Sequence, residues 1–316
     1  MSALEGRVGR FVFAGASAAR LGATRMLLGL GLIPFFWLQF GSFFDGVDPL
    51  GARFHFIDPI WYFRALGVER FEPALAQLGV VALTAALAAF AFGWRTRASA
   101  IAALVLIVFL KGMRDSVAGD VHHRELIPFH ALLFFACSRC GDAFSLDALR
   151  SAARAPLAEW EASWPIRASQ LYVAAFYWWS GVAKLRASGF YWFGPEVSSQ
   201  LMLERAVRFG VEAGAPADGS ALGLWLAREP ALLWLAGAGV AFMELGFPIL
   251  LLLRPLWMRV LFVAGVAFFH LANFVLLNVQ FLFMPVVFVL FFDLSRFAAR
   301  IAPRLARGAL PNPAAS

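Results

Sequence analysis

Residues Ala174 to Gly194 read AAFYWWSGVAKLRASGFYWFG. One lysine, Lys184, stands near the end of an apolar, aromatic segment that begins near Ile166. Lysine is rare in this chain: Lys111 and Lys184 are the only two among 27 basic residues. An ammonium inside or at the edge of hydrocarbon is costly and marks a candidate functional site. Lysine also loses its proton when desolvated, as arginine does not, which suits it to act as a base. The expected fold is therefore all-α, a polytopic transmembrane helix bundle built around a polar pocket that contains Lys184.

Composition supports a membrane protein. The 316 residues are 61% hydrophobic and 15% charged, against roughly 45–50% and about 25% in soluble domains. The formal charge of +7 resembles a nucleic-acid signal, but no basic tract or RNA-binding motif accompanies it. Arginines flanking membrane helices on the cytoplasmic side explain it better. The two cysteines, Cys137 and Cys140, form a lone Cys-Ser-Arg-Cys with nothing to complete a zinc site. They read as chance thiols, a lone short motif being weakly specific. Residues 1–25 show no long apolar core before a small-residue cleavage site, so no cleavable signal peptide is expected.

About eight spans are expected: Leu21 to Phe40, Ala74 to Phe92, Ala98 to Met113, Leu126 to Ser138, Ile166 to Leu185, Ala231 to Leu253, Val260 to Leu277 and Val279 to Phe292. Residues 1–20 form an N-terminal cytoplasmic segment, 21–304 the membrane domain and 305–316 a cytoplasmic tail. More than half of the basic residues fall on one side in this arrangement, including the tight turns at 93–97 and 254–259. The connection between the last two spans carries none. The asymmetry places both termini inside, in a bacterial inner membrane.

Spans three, five and seven run outward. At about 1.5 Å per residue, Lys111 and Lys184 lie near outer ends. His122 and His123 lie just outside span four. His270, with Asn273 on the same helix face at i, i+3, falls in the outer half of span seven. Ionisable groups at such depth should face the bundle interior. Glu244 in span six is deeper, and a structural partner for a buried base is its first reading, a catalytic role its second. Plainer readings stand beside these. Lys184 is also placed to snorkel to the interface. His270 and Asn273 also suit helix–helix hydrogen bonding. His130 reads as a satisfied interhelical histidine. Tyr177-Trp178-Trp179 and Phe190-Tyr191-Trp192-Phe193 read as interface belt, though Trp178 and Trp179 also suit the wall of a slot for a flat hydrophobic ring.

The segment FYWWSGVAKL resembles the YF-x-AG-x-x-KL pattern of the HTTM domain, the membrane core of the vitamin K-dependent gamma-carboxylase. Further segments share the likeness in the same order. His122-His123 ahead of Leu126 resembles the family's Asn-His-x-x-Leu segment, FSLDAL (Phe144 to Leu149) a short piece after that helix, and FFHLAN (Phe268 to Asn273) its aromatic-His-x-x-Asn helix. The likeness runs from about Leu21 to Arg304. His122 stands where the family has asparagine, and Ala183 where it has a lysine beside the base. The chain ends at 316 without the family's large lumenal domain, so a protein substrate is not expected.

The resemblance implies a lyase- or oxidoreductase-like enzyme acting on a lipid-soluble quinol, vitamin K hydroquinone or menaquinol. Oxygen is the co-substrate, with carbon dioxide as a further one. Lys184, His123 and His270 are the implied catalytic residues, Lys184 deprotonating the quinol. Asn273, His122, Lys111, Trp178 and Trp179 are the implied quinol contacts. No metal is implied. Oxygenation to an epoxide would generate a strong base whose acceptor the sequence does not name. Two other classes stay open: a non-enzymatic membrane protein binding lipid or a partner through this pocket, and a small proton-coupled transporter using Lys184 and Glu244.

Overall fold

A computed structural model describes residues 15–44, 56–119, 121, 126–150, 156–212, 221–253, 255–277, 279, 281 and 284–305. Among these the chain is all-helical. Five stretches are long and apolar enough to cross a membrane: Ala18–Phe44, Pro73–Phe92, Thr96–Ala118, Pro230–Leu251 and Leu256–Leu277. By length and composition this is a multi-pass membrane protein.

The three other expected spans fall on different structures. Span four is the helix Leu126–Ala136, apolar but only 11 residues long. Span five lies inside Glu159–Ser188, a 30-residue helix. Its tryptophans, tyrosines and charged residues keep it below the hydropathy of the five. Span eight contains the short helix Met284–Phe288 followed by a 3-10 turn, Val289–Phe291.

The chain divides into two compact units, Met1–Ser169 with Pro285–Ser316, and Gln170–Met284. In the first unit α1 (Ala18–Phe40) and α3 (Pro73–Phe92) pack together, α3 packs on α4 (Thr96–Ala118), and α4 on α5 (Leu126–Ala136). The short α2 (Trp61–Ala65) lies between α1 and α3 in sequence. Gly29 permits the close approach of α1 to α3: a Cβ there would lie 2.8 Å from that of Ala91.

A polar clamp holds the α3–α4 turn. α3 ends at Gly93, in the left-handed region at φ +68. The Asp147 carboxylate, in α6 (Leu146–Arg150), accepts the backbone N–H groups of Arg95 and Thr96 at 2.9 and 2.8 Å and the Thr96 hydroxyl at 2.7 Å. These N–H groups open α4 and have no partner inside it, so an aspartate there caps the helix. Arg25 of α1, wholly buried, donates to the carbonyls of Phe90 and Phe144. Between the fourth and fifth expected spans, the FSLDAL segment is thus the part that docks.

α7 (Glu159–Ser188) contains the boundary between units. The second unit takes its latter part, then α8 (Pro195–Glu212), α9 (Ala221–Leu226), α10 (Pro230–Gly246) and α11 (Leu256–Leu277). The stretch between the fifth and sixth expected spans therefore holds two helices, α8 and α9. α8 packs on α9, α10 and α11, and α10 packs on the 3-10 turn Gly189–Phe193. α12 (Met284–Phe288) and α13 (Ser295–Ile301) follow, with α13 against α1 in the first unit.

Candidate functional site

The second unit encloses a cavity of about 620 Å³. That size is ordinary for a small-molecule site, roughly 300–1,000 Å³. Its walls are mainly apolar and aromatic, including Phe176, Trp192 and Phe193, and a small polar group breaks them: Tyr177, Ser180, Lys184, Glu244, His270 and Asn273.

Tyr177, Ser180 and Lys184 recur at i, i+3 and i+7, so α7 presents them on one face. Helical side chains tilt toward the N-terminus of their own helix. Lys184, one turn from the end of α7, therefore reaches back, and its Nζ donates to Ser180 Oγ at 2.8 Å. The same ammonium donates to Glu244 Oε1 of α10 at 2.5 Å. Ser180 Oγ donates to that oxygen too, at 3.1 Å. Glu244 is thus the partner of Lys184, the first of the two readings of its sequence position. Although Glu244 reads as deeper than Lys184 by residue count, the backward reach of the lysine closes the difference. The lysine side chain is 22% exposed and the glutamate 8%, so Lys184 does not snorkel away from the pair.

Glycines make this approach possible. A Cβ on Gly181 would lie 2.7 Å from Leu245 Cδ2 and 3.1 Å from the Glu244 Cβ, so α7 and α10 meet closely beside the pair. A Cβ on Gly237 would lie 1.8 Å from the Phe193 carbonyl oxygen. The small residues of α10 thus serve packing within the second unit.

The second polar group lies between α7 and α11. The Tyr177 hydroxyl meets His270 Nε2 and donates to Met284 Sδ at 3.1 Å. The Tyr177 ring stacks on Phe247 with centroids 4.1 Å apart and planes 7° apart. Phe281 lies against the imidazole at 4.5 Å. Asn273 Nδ2 donates to the Phe269 carbonyl of its own helix at 3.0 Å. Among the described residues, two buried atoms at this cavity find no hydrogen-bond partner: Glu244 Oε2 and His270 Nδ1.

The sequence-derived candidates separate. Lys184, His270 and Asn273 line the cavity. Trp178 and Trp179 do not: they are 43% and 56% exposed, and the turn of the helix points them away from the face of Lys184, which corrects their assignment as ring contacts. Tyr177, grouped with them as belt, is buried and lines the cavity. Spacing was the signal, since it lies seven residues before Lys184. Lys111 belongs to the first unit, where its Nζ pairs with Asp115 Oδ2 at 2.6 Å, both side chains buried. His122 and His123 lie outside the described residues. His130 Nδ1 bonds the Leu126 carbonyl one turn earlier, at 2.7 Å. Cys137 and Cys140 are free thiols, the first exposed and the second buried. Among the described residues no cluster of three or more His, Cys, Asp or Glu is placed to hold a metal ion.

Comparison with protein-family models, with curated proteins and with solved structures gives no match to this chain.

Proposed function

We propose that this chain binds a lipid-soluble quinol in the cavity of the second unit and promotes its oxidation there. One observation carries the reading: an apolar, aromatic cavity in a membrane protein holds a Lys184–Glu244 pair with a carboxylate oxygen still free. The resemblance of FYWWSGVAKL and FFHLAN to the HTTM pattern supports it from the sequence.

The residues present suit such a ligand. Aromatic and aliphatic walls accept a fused ring and exclude water. The Lys184–Glu244 pair engages a ring hydroxyl and takes up its proton as a unit; two groups this close share their protons. Lys184 is then the cation that stabilises the oxyanion, a role for which a dry, fixed charge is well suited. The imidazole of His270, held by Tyr177, forms the second polar contact. When bound, the quinol would supply four electrons to dioxygen, one oxygen atom entering the ring as the epoxide and the other leaving as water, with a strong base formed on the way as the family's outcome. In this reading the chain crosses a bacterial inner membrane eight times, α5, α7 and the segment around α12 included, with both termini in the cytoplasm.

The test is oxidation of menaquinol or vitamin K hydroquinone by the purified protein, with product read by mass spectrometry. Lys184→Ala is the control, its fold checked by thermal unfolding. Epoxide from wild type and none from a folded variant is the expected result. If no quinol turns over while the variant folds as well as wild type, the cavity belongs to a binding protein instead.

A further inference from the structure

Lys184 is placed for covalent chemistry as well as for moving protons. It lines the cavity, and 22% of its side chain stays exposed, so a ligand inside can reach it. A lysine amine that has lost a proton condenses with a carbonyl carbon. The acceptor for that proton is already in contact: Glu244 Oε1 takes a hydrogen bond from Nζ at 2.5 Å. Ser180 holds both groups, accepting from Nζ at 2.8 Å and donating to the same carboxylate oxygen at 3.1 Å. Glu244 Oε2 is buried and, among the described residues, has no partner. The walls around this pair are hydrocarbon and aromatic, Phe176, Phe193 and Phe269 among them. Lys111, the chain's other lysine, lies in the first unit, where its side chain is 9% exposed and pairs with Asp115 of its own helix.

We infer that the cavity condenses Lys184 with an apolar aldehyde, forming an imine whose positive charge Glu244 balances. This activity goes beyond the quinol reading and does not rest on it. The step needs no oxidant or reductant. The ammonium passes a proton to Glu244 along their hydrogen bond, and the amine lone pair attacks the aldehyde carbon. The carbonyl π electrons move to oxygen, and a proton from the nitrogen follows them, giving a carbinolamine. Oε2, without a partner in the resting pair, is the carboxylate oxygen open to the new hydroxyl. Glu244 returns its proton to that hydroxyl and water leaves. The nitrogen lone pair forms the C=N bond, and the carboxylate again faces one positive charge. A cation in hydrocarbon needs a counter-ion, and Glu244 supplies it in place. Walls that exclude water keep the imine from hydrolysing. They also choose the aldehyde: one whose remainder is hydrocarbon fits, whereas a polar one would bury hydroxyls without partners.

The experiment adds all-trans retinal or dodecanal, separately, to the detergent-purified full chain. Imine is trapped at intervals with sodium cyanoborohydride and located by peptide mass spectrometry. Retinal also reports by absorbance, because its protonated imine absorbs at longer wavelength than the aldehyde. The expected result, with at least one of the two aldehydes, is a single adduct per chain at Lys184. It should form at least about tenfold faster than at Lys111 or the terminal amine, because the cavity holds the aldehyde against the lysine. Lys184→Arg keeps a cation beside Glu244 and should lose the adduct. Glu244→Gln removes the proton acceptor and should slow the adduct by roughly a hundredfold, without the long-wavelength band. An unchanged rate in that variant overturns the role given to Glu244 and the inference with it. No adduct at Lys184 with either aldehyde in folded wild type overturns the inference, as does one that forms no faster than at the other amines. Neither result touches the quinol reading, whose turnover is measured without aldehyde. The wild-type comparison needs no substitution, so a variant that fails to fold does not obscure it.

Discussion

Arg25, wholly buried in α1, donates a guanidinium hydrogen to the main-chain carbonyl of Phe144, 119 residues further along the chain. Its other terminal nitrogen donates to the Phe90 carbonyl at 2.9 Å, at the end of α3. One side chain thus satisfies carbonyls at two chain reversals.

Arg25→Met keeps the bulk and removes both bonds. The Phe144 carbonyl loses this buried donor at a cost of about 1–3 kcal/mol, while the Phe90 carbonyl keeps the Gly93 N–H at 3.0 Å. A thermal midpoint clearly below wild type is expected. Arg25→Lys should recover little, since one ammonium replaces a planar fork that reaches both carbonyls. A melting curve of Arg25→Met that overlays wild type would remove the clamp from the account.

Gly237 and Gly181 should respond differently to alanine. At Gly237 the added methyl meets the backbone oxygen of Phe193 at 1.8 Å, and a backbone cannot swing aside. At Gly181 the nearest atom is the flexible Leu245 Cδ2 at 2.7 Å. Gly237→Ala should lose about 1–3 kcal/mol, the scale of overpacking, and Gly181→Ala less. Comparing the two unfolding midpoints checks this, and the reverse order would contradict the geometry.

The two thiols are a probe of topology. Cys137 is exposed and Cys140 buried. Burial pushes the Cys140 thiol up, partly opposed by the charge of Arg25, so little of it is the reactive thiolate at neutral pH. A membrane-impermeant maleimide should add once per chain, and Cys137→Ser should abolish the addition. With Cys137 on the cytoplasmic face, labelling occurs in inverted vesicles and not in right-side-out ones. Labelling only from the outside would reverse the proposed orientation.

Acid should loosen the anchor of α7. Glu161, ahead of the expected fifth span, accepts the Ala158 N–H at 2.9 Å and faces Arg139 Nη1 at 3.2 Å. The Ala158 bond first, with Arg139 beside it, holds the carboxyl below its usual value of 4.5, against a smaller opposing effect of burial. A folded value below the unfolded one means the contribution is present above the unfolded value and is lost as pH falls through the folded value. Wild type should therefore melt higher than Glu161→Gln at neutral pH, with the difference fading below the ordinary carboxylate range. A gap that persists at the lowest pH would assign it to something other than ionisation.

Sequence was most informative where hydrocarbon sets the rule. A run of apolar residues about twenty long has one ready solution in lipid, so α1, α3, α4, α10 and α11 follow from hydropathy. The helix α7 was harder, because tryptophan and tyrosine contribute bulk without high hydropathy and blur its ends. Lys184 stood out because lysine is rare here. Its partner Glu244 reads from sequence as pairing with some buried base, and stands beside Lys184 only in the transporter reading, because a separation of 60 residues hides which helices touch. Tyr177 was read by its neighbours rather than by its helical face, which grouped it with Trp178 and Trp179. The docking of Phe144 onto Arg25 had no local signal at all, since a carbonyl acceptor is the same at every residue.

The Lys184–Glu244 pair also bears on energy coupling. Its two charges sum to zero, and a neutral ligand settling beside it adds none. Moving one elementary charge across 100 mV of transmembrane voltage involves about 2.3 kcal/mol, but no net charge moves when an uncharged molecule enters or leaves this cavity. If the proposed quinol is the occupant, its occupancy should therefore be indifferent to whether the cell is energised, leaving its supply in the bilayer to set how full the site is.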